Sequence, residues 1–138
     1  MFVPKKVKYR KSHRGDQIKG SACRKIVLSF GSFGLKSLEA GWITSRQLEA
    51  ARRAITGNLQ RKGKVWIRIF PDKSVTVKGN EIRMGGGKGA VDHYVAPIRP
   101  GTIMFEIDGV DMVEAREALR LAAHKLPVKT RVVTKLGI

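Results

Sequence analysis

Seven consecutive residues, Arg83-Met84-Gly85-Gly86-Gly87-Lys88-Gly89, set four glycines between and beside two cations. Glycine loses the most backbone freedom on ordering, so this run neither packs a core nor holds a shape unaided. Its chemistry is contact: bare backbone approaches a partner closely, Arg83 hydrogen-bonds or stacks, and Lys88 supplies charge. The residues on either side read as strands. Residues 79–90 are therefore expected to form a flexible loop on a rigid mount, reaching about 20 Å as an out-and-back excursion.

A second concentration of cations opens the chain. Residues 1–25 contain Lys5, Lys6, Lys8, Arg10, Lys11, Arg14, Lys19, Arg24 and Lys25 against the single acid Asp16. Apolar residues there are few and aperiodic, so the segment cannot bury enough surface to fold alone. It reads as a basic arm that threads along phosphates and orders on contact, with Tyr9 and His13 able to stack on bases. A merely solvated tail is the competing reading. A third group, Arg46, Arg53 and Arg61, lies on an expected helix. Arg46, Arg53 and Gln60 are seven apart and share a face, with Arg61 near its end. That face fits an RNA backbone, and solvent exposure fits it as well.

The whole chain agrees with this local picture. Its 138 residues carry 28 Lys+Arg against 11 Asp+Glu, a net charge of +17, with 42% hydrophobic content. That is one domain by length, with enough chain to bury a core. Self-repulsion on this scale is relieved by a polyanion, and nucleic acid is the first candidate. A membrane surface fits less well. There is no basic amphipathic helix with a clean apolar face and no apolar run of about 18 residues.

Catalytic and metal chemistry find little support. Gly87-Lys88-Gly89 suggests a phosphate loop, but Ile82 and Gly89 stand where that motif needs glycine and Ser/Thr. No Gly-x-Ser-x-Gly run is present. Cys23 is the only cysteine, and His13, His93 and His124 are far apart in sequence. The chain is read as a non-enzyme with no metal site, no cofactor and no small-molecule substrate. A chain opening without an apolar signal core or presequence is expected to work in a cytosol-like compartment.

The positioning elements are set by periodicity. Ile26-Val27-Leu28-Ser29-Phe30 reads as a short strand, 31–34 as a turn and 35–38 as a second extended piece, with Phe30 and Phe33 in the core. Thr44 and Gln47 form a capping box, and Leu48, Ala51, Ile55 and Leu59 form the buried stripe of a helix running to about Arg61, with Gly63 as its stop. Residues 65–70 and 74–78 are strands about a Pro71-Asp72-Lys73 turn. Further strands are read at 92–96 and 102–107, the latter with Ile103, Phe105 and Ile107 on one face. A second helix starts at the N-cap Asp111, buries Ala115, Leu119, Ala122 and Leu126, and stops at Pro127. Residues 128–134 form a last strand. His124 is read as an ordinary surface residue.

Several of these stretches carry a resemblance. The run from Lys64 through Trp66, Arg68 and Phe70 to Lys73, then Arg83-Met84-Gly85 and Gly87-Lys88-Gly89, resembles the ribosomal protein L sixteen family of the large subunit. So do Phe30-Gly31-Ser32-Phe33-Gly34-Leu35, Trp42-Ile43-Thr44-Ser45-Arg46-Gln47, and Pro4-Lys5-Lys6 with Tyr9-Arg10-Lys11. The match runs nearly end to end. It implies an α+β fold with a mixed or antiparallel sheet and two helices, of the α/β-hammerhead type. It also implies binding to 23S-type rRNA beside the aminoacyl-tRNA site, with the loop of residues 83–89 near tRNA and the peptidyl transferase centre. Implied partners are large-subunit rRNA, A-site tRNA with P-site tRNA as a second option, and neighbouring ribosomal proteins, in a bacterial cytoplasm or an organelle. The chain departs from the family pattern at Asp16, at Gly86, at Gly79-Asn80 and at Tyr94, and 20–25 matches poorly. A free-standing architectural RNA- or DNA-binding protein is the alternative; it explains the charge but has no need of a glycine loop on a sheet.

Overall fold

A computed structural model of the chain describes residues 2–15 and 17–135. Asp16, the one acid of the arm, lies outside them. The order is β1 (Phe33–Ser37), β2 (Gly41–Thr44), α1 (Ser45–Asn58), β3 (Lys64–Ile67), β4 (Lys73–Val77), β5 (Ala90–Ile98), β6 (Ile103–Asp108), α2 (Met112–Ala123) and β7 (Thr130–Thr134). The strands form two sheets, β3-β6-β1-β7 and β2-β5-β4. Every strand pair is antiparallel. The fold is α+β, as its pattern of strands and helices implies.

Local rules account for both helix starts. The Thr44 side chain accepts from Gln47 N–H at 3.1 Å, and Gln47 Oε1 accepts from Thr44 N–H at 3.0 Å, closing the capping box. Asp111 accepts from Glu114 N–H at 2.8 Å and caps α2. The stripes Leu48-Ala51-Ile55 and Ala118-Leu119-Ala122 meet Leu35, Phe105 and Ile107 of the first sheet and Ile43, Ala96 and Ile98 of the second. One apolar core thus fastens both sheets to both helices.

Four expectations are corrected. First, α1 ends at Asn58 rather than near Arg61. Gln60 (φ 51°) and Arg61 (φ 62°) are left-handed, and their N–H groups bond back to Gly57 O and Thr56 O. That is a Schellman-type stop built on glutamine, and Gly63 sits beyond it. Second, the strand β2 is an addition to the elements read from periodicity; its four residues pair with 95–98 of β5. Third, Ile103 does not share a face with Phe105 and Ile107. The register with β1 shifts between Leu35 and Lys36, so Ile103 pairs with Lys36 and lies beside Ile26 and Leu28, and Met104 joins the core. An extra residue in a ladder moves its successors to the other face.

The fourth correction concerns residues 26–30. They form no strand. Their backbone is held instead by Glu106, which is fully buried in the middle of β6. Its Oε2 accepts from the N–H groups of Phe30 and Gly31, each at 2.7 Å, and its Oε1 accepts from Ser29 N–H at 3.2 Å. Arg68 Nη1 reaches Oε1 at 2.9 Å and also donates to Val27 O at 2.6 Å. The same arrangement turns Phe30 outward, 57% exposed, rather than into the core. Its ring stacks on Trp66 with centroids 6.0 Å apart, and the Arg68 guanidinium lies 5.6 Å from it. Gly31 is required here: a Cβ would come within 2.6 Å of Ile107 O.

Burial pushes the Glu106 pKa up, but the N–H groups of Gly31, Phe30 and Ser29, together with Arg68, outweigh it and hold the carboxyl below its usual range. Its charged form therefore favours the folded state. That contribution is complete above the ordinary carboxylate pKa and is lost as pH falls through the depressed value. Glu106→Gln is expected to lower stability at neutral pH by about 2–3 kcal/mol and to flatten the acid limb of the stability curve. Circular dichroism melts across that limb check both; a variant melting like the parent at neutral pH would rule out the anchoring role.

Candidate nucleic-acid interface

Among its described residues the arm has no helix or strand. Lys5, Lys6, Lys8, Tyr9, Arg10, His13 and Arg14 are exposed, and Lys11 is partly covered. Tyr9 is 74% exposed, with Lys8 Nζ 5.5 Å from its ring centroid, so its ring is open to a stacking partner. The arm nevertheless lies on the body. Phe2 packs against the core. Ser12 Oγ donates to Ser74 O at 3.2 Å, and Lys73 Nζ donates to Arg14 O at 2.5 Å. Further along, Ala22 N–H bonds Pro100 O at 2.9 Å and Lys25 O accepts from Ile103 N–H at 2.8 Å.

The glycine loop leaves β4 and returns as β5. Gly85, Gly86 and Gly87 all have positive φ, between 76° and 99°, and a Cβ at any of them would meet nothing within 4 Å. The need for glycine there is conformational, and the backbone stands clear of the body. Met84 is 96% exposed. Lys78 Nζ donates to Gly85 O at 2.7 Å. Among the described residues, Arg83 makes no hydrogen bond or ion pair.

Arm and loop meet at Lys88. Lys11 Nζ donates to Lys88 O at 2.9 Å, and Lys88 Nζ donates back to Ser12 O. The two cationic segments, separate in the sequence, share a joint. Residues 83–87 lie beyond it, and 5–10 precede it.

The helix group behaves differently. Arg46 and Arg61 are exposed. Arg53 is exposed too, but its Nε bonds Glu49 Oε1 at 3.0 Å, and Arg52 forks onto the same carboxylate. Arg52, ahead of Arg53, draws the Glu49 pKa down to about 2 despite the opposing effect of burial. One carboxylate thus offsets part of the charge on this face. Arg52, Arg53, Gln60 and Arg61 border a hollow at the end of α1.

The ion pairs found among the described residues all lie on the body. They involve Arg52, Arg53, Arg68, Arg120 and Lys129. No cation of the arm is among them, nor are Arg83 and Lys88. Trp42, Lys73 and Ser74, which the arm covers, were not singled out by sequence; two cations over one indole is a signal only the fold displays. No group of three His, Cys, Asp or Glu among the described residues is placed to hold a metal. None of their helices is long and apolar enough to cross a membrane.

A compact α+β body bearing cationic extensions has the form of a protein that sits on a polyanion. Comparison with known proteins gives the particular family. The family model described as Ribosomal protein L16p/L10e matches residues 4–133. The large ribosomal subunit protein uL16 of Oenococcus oeni (strain ATCC BAA-331 / PSU-1) is 58% identical over 135 residues, covering 98% of this chain and 94% of the relative. The protein of the same name from Karelsulcia muelleri (strain GWSS) is 54% identical over 135 residues, covering 98% of each. The chain belongs to the ribosomal protein L16p/L10e family.

The joint at Lys88 makes a checkable statement about the free protein. Lys88→Ala removes the tie to Ser12 O and is expected to speed amide exchange in residues 10–15 without lowering the melting temperature. Hydrogen-exchange mass spectrometry reads this directly, and unchanged exchange in that window would show that the arm is held elsewhere.

Proposed function

We propose that this protein, a structural constituent of the large ribosomal subunit, binds large-subunit rRNA through its arm and the α1 arginines and positions aminoacyl-tRNA near the A site through its glycine loop. The observation that carries the reading is charge without partners: among the described residues, no carboxylate pairs a cation of the arm, Arg83 or Lys88. An assembled polyanion supplies the missing partner. Lys5, Lys6, Lys8, Arg10, Lys11 and Arg14 take phosphates, and Tyr9 and His13 stack. Arg46, Arg53 and Arg61 extend the contact along α1. Arg83 and Met84 form the tip that meets tRNA or the rRNA around it, while the backbone of Gly85, Gly86, Gly87 and Gly89 permits close approach. The role is positioning, with no reaction assigned to the protein's own side chains. Neighbouring ribosomal proteins complete the surroundings.

Arm and tip are separable by experiment. Deleting residues 1–14 removes six cations. Each phosphate contact contributes about 0.7–0.9 to the log–log salt slope, so the deletion is expected to make rRNA binding shallower by roughly 4 to 5 units and to reduce occupancy in salt-washed subunits. Unchanged occupancy would take the arm out of the interface. Arg83→Ala is expected to leave occupancy intact and to weaken A-site tRNA binding by roughly tenfold, the worth of one charged hydrogen bond. Filter binding of tRNA to reconstituted subunits measures it, and normal affinity would deny the loop that role.

A further inference from the structure

Where the arm crosses the second sheet it closes a groove to which no role has yet been given. Ser12 and Arg14 form one wall, Lys73 and Ser74 of β4 the other, Lys88 one end, and Trp42 of β2 the floor, around a cavity of about 310 Å³. The Arg14 guanidinium stands 5.8 Å from the Trp42 ring centroid and Lys73 Nζ 4.9 Å from it. A second hollow, of about 480 Å³, continues from Arg14 and Trp42 past Gly15, Gln17 and Gly41.

Among the described residues, the cations here are held without being neutralised. Lys73 Nζ bonds Arg14 O and Lys88 Nζ bonds Ser12 O, both backbone carbonyls. An ammonium carries three donors and a guanidinium five, so each lysine keeps two and Arg14, with no acceptor among the described residues, keeps all of its own. No ion pair among the described residues involves any of the three. Asp92, the acid nearest along β5, pairs with His93 at 2.7 Å. Gathering three like charges around one hollow costs free energy that an anion would recover. The β4–β5 ladder also shifts register between Val75 and Thr76 at this spot, the kind of irregularity that re-aims side chains beside binding sites.

We propose that this groove is a subsite for one phosphodiester of an RNA strand, gripped by Arg14, Lys73 and Lys88 over Trp42, with the adjoining hollow taking the next stretch of the strand. The proposal rests on the rRNA-binding reading and adds a location to it. Arg14 presents the planar fork that matches phosphate oxygens, and the two lysines add point charge. Filling the groove fastens arm, sheet and loop root to the same strand.

Trp42 makes the test direct, because the chain has only one other tryptophan. In a Trp66→Phe protein, Trp42 is the sole indole, and cations drawn off its ring onto a phosphate change its emission. Titration with protein-free large-subunit rRNA is expected to shift that emission saturably. Inorganic phosphate and polyglutamate at matched charge concentration are expected to leave it unmoved. In the same protein, Lys73→Gln is expected to weaken rRNA binding about three- to tenfold and to reduce the salt slope by about one contact, 0.7–0.9, while Lys73→Arg restores both. Arg131→Gln, on the exposed side of β7 in the other sheet, is the control for charge alone. Tight, salt-dependent rRNA binding with a silent Trp42, or equal losses for Lys73→Gln and Arg131→Gln, would overturn the subsite and leave the general reading standing. Failure of the parent chain to bind rRNA at all would overturn both. An equal Trp42 response to polyglutamate would reassign the groove to an acidic protein, and one to inorganic phosphate would make it a generic anion site. The melting temperature of Lys73→Gln, expected to match the parent, keeps a folding defect from passing as a binding loss.

Discussion

A charged carboxylate with no access to water organises one side of this protein. Glu106 sits in the central part of β6, on the face opposite Phe105 and Ile107, and is fully buried. Isolated, such a charge would be costly enough to stay protonated. Three successive backbone N–H groups and Arg68 turn it into an anchor. They fix the path of residues 29–31 across the sheet, present Phe30 outward against Trp66, and settle where the chain enters β1. The arm's course begins from that point and runs back over the second sheet.

The same electrostatic rule, applied in reverse, distinguishes the surface. On the helices, acids stand three or four residues from arginines and pair with them, as Glu49 does with Arg52 and Arg53 and Glu117 with Arg120. Such exposed pairs contribute little to stability. Their effect is to offset part of the positive charge on those faces. The extensions contain almost no acids, and among the described residues Lys11 and Lys88 find carbonyl oxygens in their place. A carbonyl orients an ammonium without cancelling its charge. The protein is thereby pre-shaped and still strongly positive, which suits a member of a ribosomal family.

Local rules decide the features that could be read in the sequence. The capping box at Thr44, the N-cap at Asp111 and the helical stripes depend on residues within a turn or two of one another, and the structure places them as read. Where distant partners decide, the reading failed. Residues 26–30 have a β-branched run, but their N–H groups are claimed by a carboxylate more than seventy positions away. Ile103 alternates correctly with Phe105 and Ile107, yet a bulge in the ladder moves it across. Gln60 and Arg61 adopt a backbone state that composition gives no reason to expect. As to the interface, the cations were legible as residue types. Their grouping was not: Ser12, Trp42, Lys73 and Lys88 come from four separate stretches, and only the docking of the arm brings them together.

The clasp in which Lys11 holds the Lys88 carbonyl and Lys88 holds that of Ser12 makes one extension the tether of the other. Besides the contacts that bind the arm to the body, two ammonium–carbonyl links join it directly to the foot of the glycine excursion. Linkage works in both directions. On the proposed reading, a strand that immobilised the first segment would also narrow the arc the tip can sweep, so that seating the arm would help to aim the loop.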